Sequence, residues 1–460
     1  MALVSINPAT GQTIHRFIEH SRGEVDRVLE RASRSFLAWR ELAVTDRATY
    51  LRNTAAILKG ERNALAALIT SEMGKPLAQA RSEIEKCAEA CLYYAKRGAK
   101  FLKPERPPGA PRGTQVVFEP LGPVLAIMPW NFPFWQTFRA AVPTLLAGNT
   151  VLLKHSFNVC GCALAIEEIF KRAGLPGGVF QTLLVSSAAV PRLIASDHIA
   201  AVTLTGSTAA GKQIASLAGA ALKPCVLELG GSDPYLILGD ANIPHAAEIC
   251  AQARLVNCGQ SCIAAKRFIV VEKVRDAFED KLVSRIMARR VGDPFVAGTD
   301  VGPMARADLR DELDRQVRES VRHGACLLLG GNISEEPGFF YEPTVLANVS
   351  KGMPAYDQEL FGPVAAIVPV PDEEAAVATA NDSRFGLGAA VFTRDTARGE
   401  EIARERLEAG MVFVNDFVRS EISLPFGGVK QSGFGRELGS YGMREFVNIK
   451  TVWNQPKRHQ

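Results

Sequence analysis

The sequence predicts an α/β protein built from two layered domains, and three observations carry that expectation. Between residues 150 and 224, short apolar runs alternate with runs of helical period, the pattern of βαβ units in a parallel, doubly wound sheet. The same alternation returns around 268–271, 325–329 and 365–370, which predicts a second α/β domain. At 460 residues, with 47% hydrophobic and 22% charged side chains, the chain has the length for two or three cores and the balance of an ordinary globular protein.

The elements follow in order. Across 22–103 the pattern is helical: Val25, Val28, Leu29, Ala32 and Phe36 recur at i, i+3, i+4 spacing, and further helical runs surround Leu65 and Cys91. Pro104, Pro107, Pro108, Gly109 and Pro111 break any helix and mark a linker. Residues 114–119 and 122–128, rich in Val and Ile-type side chains, are expected as strands. Beyond them 150–153, 179–184 and 201–204 are expected as buried strands, with helices over 162–173 and 189–195 between.

Charge argues against nucleic acid as a partner. The 53 basic and 49 acidic residues are scattered, the net charge is +4, and no dense Lys/Arg cluster occurs. None of the nine cysteines forms a CxxC pair and the count is odd, so neither a metal site nor a disulfide framework is indicated. The start, Met1-Ala2-Leu3-Val4-Ser5-Ile6, lacks the basic end and long apolar run of a signal peptide, and no apolar stretch is long enough to span a bilayer. A protein of the reducing cytoplasm, without a membrane partner, is expected.

Chemistry concentrates at a thiol and a carboxylate. Cys262 follows the turn Gly259-Gln260-Ser261, and Glu228 precedes Leu229-Gly230-Gly231. A thiolate is a strong nucleophile near neutral pH, and a carboxylate can activate the water that releases a product. Asn131 lies between Pro129 and Pro133; Pro133 suits the first turn of a helix, so the Asn131 amide can face an oxyanion, although alone it reads equally as a turn amide.

Gly206-Ser207-Thr208-Ala209-Ala210-Gly211-Lys212 matches most of a P-loop, yet Gln213 stands where Ser or Thr would hold magnesium. A turn opening a helix, with Ser207 as N-cap, can still cradle a pyrophosphate. Lys154 closes a strand where a cation can reach a ribose or phosphate, or simply be solvated. Glu359 and Phe361 offer a carboxylate for ribose hydroxyls and a ring to pack on. Cys258, four positions before Cys262, could form a regulatory disulfide with it or be a small loop residue.

Together these residues resemble the aldehyde dehydrogenase superfamily over essentially the whole chain. The resemblance rests on Pro-Trp-Asn-Phe-Pro at 129–133, Lys154, Thr-Gly-Ser at 205–207, Leu-Glu-Leu-Gly-Gly at 227–231, Gly-Gln-Ser-Cys at 259–262, Glu-Leu-Phe-Gly-Pro-Val at 359–364 and Pro-Phe-Gly-Gly-Val-Lys-Gln-Ser-Gly at 425–433. It implies a Rossmann-type cofactor-binding domain over 1–113 and 130–229, an α/β catalytic domain over 230–430, and a small β oligomerisation arm over 114–129 and 446–460. It implies NAD or NADP as cofactor, with Trp130, Lys154, Ser156, Phe157, Gly206, Ser207, Glu359 and Phe361 around it. Cys262 would attack the aldehyde, Asn131 and the Cys262 N–H would hold the oxyanion, hydride would leave for the nicotinamide, and Glu228 would activate water against the thioester. A homodimer or homotetramer is expected.

One departure bears on the cofactor. NAD-preferring members often carry Glu three positions after the strand-end Lys, whereas this chain has Phe157; Phe157 neither accepts a ribose hydrogen bond nor repels a 2′-phosphate, and Lys154 with Ser156 can accommodate one. Within the superfamily the chain is most similar to the bacterial succinate-semialdehyde dehydrogenases, through Lys-His at 154–155, Gly-Gly-Ser-Asp-Pro at 230–234 and the run 433–438. Trp135 and Arg139 share one helix face, where a guanidinium can clamp the distal carboxylate of a semialdehyde or serve as a structural ion-pair partner. Val256 stands where some members carry a second Arg, which leaves Arg254, Ser261, Arg419 or Ser420 to supply that contact. Two other readings stay open: a broad oxidiser of uncharged aldehydes, and a silent relative that kept only the fold.

Overall fold

A computed structural model describes residues 3–454. The N-terminal hairpin pairs Leu3–Ile6 with Thr13–Phe17. Four helices follow: Arg22–Glu41, Val44–Gly60, Arg62–Met73 and Leu77–Phe101. The first opens with a full capping box between Ser21 and Glu24. The longest buries Ala80, Ile84, Cys87, Ala88 and Cys91 along one stripe, each large apolar side chain contributing roughly 1.5–3 kcal/mol on burial.

The first large sheet has six strands in the order Gly433–Phe434, Cys225–Glu228, Ala201–Thr205, Pro123–Met128, Thr150–His155, Phe180–Thr182. All neighbours are parallel except the edge strand Gly433–Phe434. Every residue of Pro123–Met128 is buried, as a parallel strand covered on both faces demands. The second sheet has seven strands, Cys326–Leu329, Thr344–Ala347, Val364–Val370, Arg267–Val271, Pro234–Ile237, Gly388–Phe392 and Met411–Val414 in spatial order, with only the edge Cys326–Leu329 antiparallel.

The division of the arm differs from expectation. Thr114–Pro120 pairs with Val447–Trp453 as a separate two-stranded antiparallel ribbon, but Pro123–Met128, expected as part of it, is a central strand of the six-stranded sheet. The physical reason is the Leu121-Gly122 bend, where Gly122 adopts φ 143°: it turns the chain from an exposed ribbon into a core. The expected arm residues 455–460 and the expected cofactor-domain residues 1–2 lie outside the described residues. Among the described residues no helix is long and apolar enough to cross a membrane.

Candidate active site

Pro123–Met128 has Thr150–His155 on one side and Ala201–Thr205 on the other, so the chain order reverses around it. Such a switch point opens a crevice at the carboxyl ends of the strands. Asn131 leaves from one of these strands and Gly206-Ser207 from the other. The chain then crosses from Cys225–Glu228 to Pro234–Ile237 in the second sheet, which puts Glu228 at the junction of the two.

Asn131 lies just before helix Pro133–Ala147, whose N1 residue is Pro133. The helix has no side-chain cap of its own. Instead Glu83, from helix Leu77–Phe101, accepts from the N–H groups of Phe134 and Trp135, both at 2.9 Å, and complements the helix dipole. Glu83 is paired with Lys75 at 2.5 Å, both side chains fully buried, and Lys75 Nζ sits 3.9 Å from the centroid of the Phe132 ring. The Asn131 amide donates to Gln260 O at 3.0 Å. That spends one of its two N–H bonds and leaves the other for an oxyanion.

The loop before the nucleophile has an uncommon backbone. Asn257, Cys258 and Gly259 all take left-handed conformations, with φ of 56°, 57° and 74°, a strain of about 1–3 kcal/mol for each non-glycine residue. Gln79 Oε1 accepts from Asn257 N at 2.7 Å, and the Asn257 amide donates to Asn131 O and Gln260 O. A Cβ on Gly259 would lie 2.3 Å from Gly362 O, so only glycine fits there. Lys266, buried, donates to the carbonyls of Ser261, Cys262 and Ala264 and lies 3.6 Å from Glu359. Cys258 is also buried, and its sulfur accepts from Gly302 N at 3.2 Å; all nine cysteines are free thiols.

Burial pushes the Cys262 thiol up to about 12, against the pull of the Arg139 and Lys266 charges. Glu228 is buried, with neither carboxyl oxygen hydrogen-bonded among the described residues. Burial, and then the neighbouring Glu437 carboxyl, raise it well above the ordinary carboxylate range. A carboxylate made more basic in this way suits the removal of a proton from water.

Cys262 opens into a cavity of about 470 Å³ whose walls carry all five side chains expected for substrate, Trp135, Arg139, Ser261, Arg419 and Ser420. Arg139, however, is not free to clamp an anion. It forms a buried ion pair with Glu437, reaches Thr205 Oγ1 at 3.4 Å and lies 4.2 Å above the Phe426 ring. Arg419 pairs with Asp416 at 2.6 Å. Arg254 is fully buried behind the catalytic loop, where it donates to Gly259 O, and it does not line the cavity.

The crevice offers the groups a dinucleotide needs. Ser207 caps helix Thr208–Ala220, accepting from Ala210 N; the N–H groups of Thr208 and Ala209 have no backbone acceptor among the described residues. These, with the helix dipole, fit a pyrophosphate. Gly206 N donates to Glu228 O at 3.0 Å, which ties the phosphate turn to the strand carrying the carboxylate. The Lys154 amine makes no ion pair among the described residues and is half-buried at its strand end. Ser156 donates to Asn158 Oδ1 at 2.7 Å, and Phe157 packs under the Arg306 guanidinium at 4.9 Å. Glu359 accepts from Gly231 N at 3.1 Å, and Trp130 and Phe361 meet edge to face at 5.7 Å.

The residues that sequence reasoning missed are those that hold the site rather than form it: Glu83, Lys266, Glu437 and Lys86. Lys266 lies only four positions after Cys262, within reach of a local reading. The other three approach from distant chain segments, and only Glu437 fell inside a motif already singled out.

The aldehyde dehydrogenase family model matches residues 2–452. A "Probable succinate-semialdehyde dehydrogenase [NADP(+)]" of Synechocystis sp. is 48% identical, covering 98% of this chain and 100% of the relative. A succinate semialdehyde dehydrogenase [NAD(P)+] of Escherichia coli is 48% identical over 98% of this chain and 97% of its own length. The crystal structure of succinic semialdehyde dehydrogenase from Streptococcus pyogenes, in complex with NADP+, superposes with a TM-score of 0.95 at 35% identity, covering 98% of this chain and 100% of that one. With that match across both sheets, the chain belongs to the aldehyde dehydrogenase family.

Proposed function

We propose that the protein oxidises succinic semialdehyde to succinate with NADP+ or NAD+. The observation that carries this reading is the cavity joining Cys262 to a wall bearing Lys86, Arg139 and Arg419, an apolar slot with cationic side chains for a short aldehyde that ends in a carboxylate. The relatives named for that reaction are 48% identical over nearly the whole chain.

Cys262 gives up its thiol proton to water and its sulfur attacks the aldehyde carbon, and the free Asn131 N–H with the Cys262 N–H receives the charge on oxygen. A bound NADP+ or NAD+ would supply the hydride acceptor for oxidation of the Cys262 adduct to a thioester. Glu228 takes a proton from water, the hydroxide adds to the thioester carbonyl, and the carboxylic acid leaves as Cys262 recovers its thiol. Lys154, Ser156 and the Ser207 turn would hold the adenosine and pyrophosphate end of that cofactor, and Glu359 the second ribose. Phe157, unable to bond a ribose hydroxyl, favours NADP+. The protein works as a homodimer or homotetramer in the cytoplasm, where nine free thiols match a reducing environment.

A second reading, a general oxidiser of uncharged aldehydes, is favoured by the commitment of Arg139 to Glu437. Initial-rate kinetics on the pure protein, comparing succinic semialdehyde with butanal and each cofactor, decide between them. The semialdehyde is expected to lead in kcat/KM by roughly thirty-fold, about 2 kcal/mol of transition-state stabilisation. Equal values would assign the second reading.

A further inference from the structure

Three cations line the catalytic cavity: Lys86, Arg139 and Arg419. Two are already neutralised, Arg139 by Glu437 and Arg419 by Asp416. The fully buried lysines of this region, Lys75 and Lys266, are likewise paired, with Glu83 and Glu359. Lys86 alone among these cations has no carboxylate within ion-pair distance among the described residues.

Its surroundings are built for an ammonium that lacks an anion. Lys86 projects from helix Leu77–Phe101 with Nζ 4.5 Å from the centroid of the Trp135 ring, an attraction that fixes the charge over the aromatic face. It donates to Ser420 O at 2.6 Å and to Ser420 Oγ at 2.7 Å. An ammonium has three N–H bonds, so one is unspent. Because Ser420 Oγ accepts from Lys86, its own O–H remains available as a second donor. Burial draws the Lys86 ammonium down to about 8, with the Arg139 charge adding to the effect and Glu421 and Glu89 opposing it. An anion seated here would relieve that cost.

We propose that Lys86, with the Ser420 hydroxyl, is the anchor for the carboxylate distal to the aldehyde, the position sequence reasoning gave to Arg139. This rests on the reading of the substrate as an aldehyde with a second, anionic end. Arg139 then acts through Glu437 and Phe426 as part of the wall. Trp135 stands in the first turn of helix Pro133–Ala147, so the ring that holds the anchor is carried by the helix that follows Asn131.

The test titrates succinate, the product with the same distal carboxylate, into the NADP+ complex by calorimetry, using wild type, Lys86→Met and Lys86→Arg. Lys86→Met is expected to weaken succinate at least ten-fold and Lys86→Arg to retain most of it. In turnover, Lys86→Met is expected to lower the ratio of kcat/KM for succinic semialdehyde over butanal ten-fold or more, through KM. Equal succinate affinity in wild type and Lys86→Met overturns the anchor, as does a lack of succinate binding to wild type or an equal loss for both aldehydes. The substrate reading is judged apart from this, by wild type alone: no preference for the semialdehyde would sink that reading while the succinate titration still decides Lys86.

Discussion

Burial governs the reactivity of the nucleophile. With its thiol pushed up to about 12, Cys262 is overwhelmingly protonated at neutral pH, and the thiolate fraction grows about ten-fold per pH unit far below the midpoint. Alkylation of the cofactor-free protein by iodoacetamide is therefore expected to accelerate roughly ten-fold for each unit between pH 7 and 9, followed as loss of activity. A plateau by pH 8 would place the thiol in the ordinary range and contradict this. At this scale the candidate reacting residues Cys262, Glu228 and Asn131 could be nominated from the sequence because each sits in a short turn motif. Lys86 was not, because nothing in its helical neighbours marks it; its meaning comes from Ser420 and Trp135, which approach from elsewhere in the chain.

Between elements, the joint of interest is the end of strand Thr150–His155 against the start of helix Pro133–Ala147. His155 Nε2 lies 2.9 Å from Pro133 O, and Nδ1 accepts from Ser156 N at 2.9 Å, so the ring is neutral with its proton on Nε2. Burial lowers it from 6.5 to about 4. The unfolded chain then binds more protons than the folded one between those values, so stability is present above pH 6.5 and lost as pH falls toward 4, by roughly 3 kcal/mol. Unfolding midpoints measured across this window are expected to fall more steeply for wild type than for His155→Gln; identical slopes would remove His155 from the account. Element type was readable from periodicity here, strand by strand and helix by helix. Partnership was not: 114–119 and 122–128 look alike in composition, and only the Gly122 bend separates a ribbon strand from a sheet centre.

For the whole molecule, the ribbon of Thr114–Pro120 and Val447–Trp453 pairs over its full length and has no third strand among the described residues, while Ile449 and Trp453 stand 62% and 59% exposed. Such an edge invites a strand or sheet from another subunit. Replacing both Ile449 and Trp453 with Glu is expected to lower the mass measured by light scattering to that of a smaller species; an unchanged mass would move the interface elsewhere. The α/β fold with its parallel sheets was legible from alternating runs, whereas the antiparallel return of Gly433–Phe434 to the first sheet was not, since a two-residue strand leaves no periodicity.

The catalytic loop carries one more consequence. Its left-handed turn is held by Gln79, Asn131, Gly302 and Ala305, and is roofed by Gly362. On a chain still emerging from the ribosome, the later of these partners do not yet exist, and the turn has nothing to keep it wound. The thiol thus meets the Asn131 amide only when most of the polypeptide has been made and has closed upon itself, and the same closure buries the sulfur and lowers its thiolate fraction.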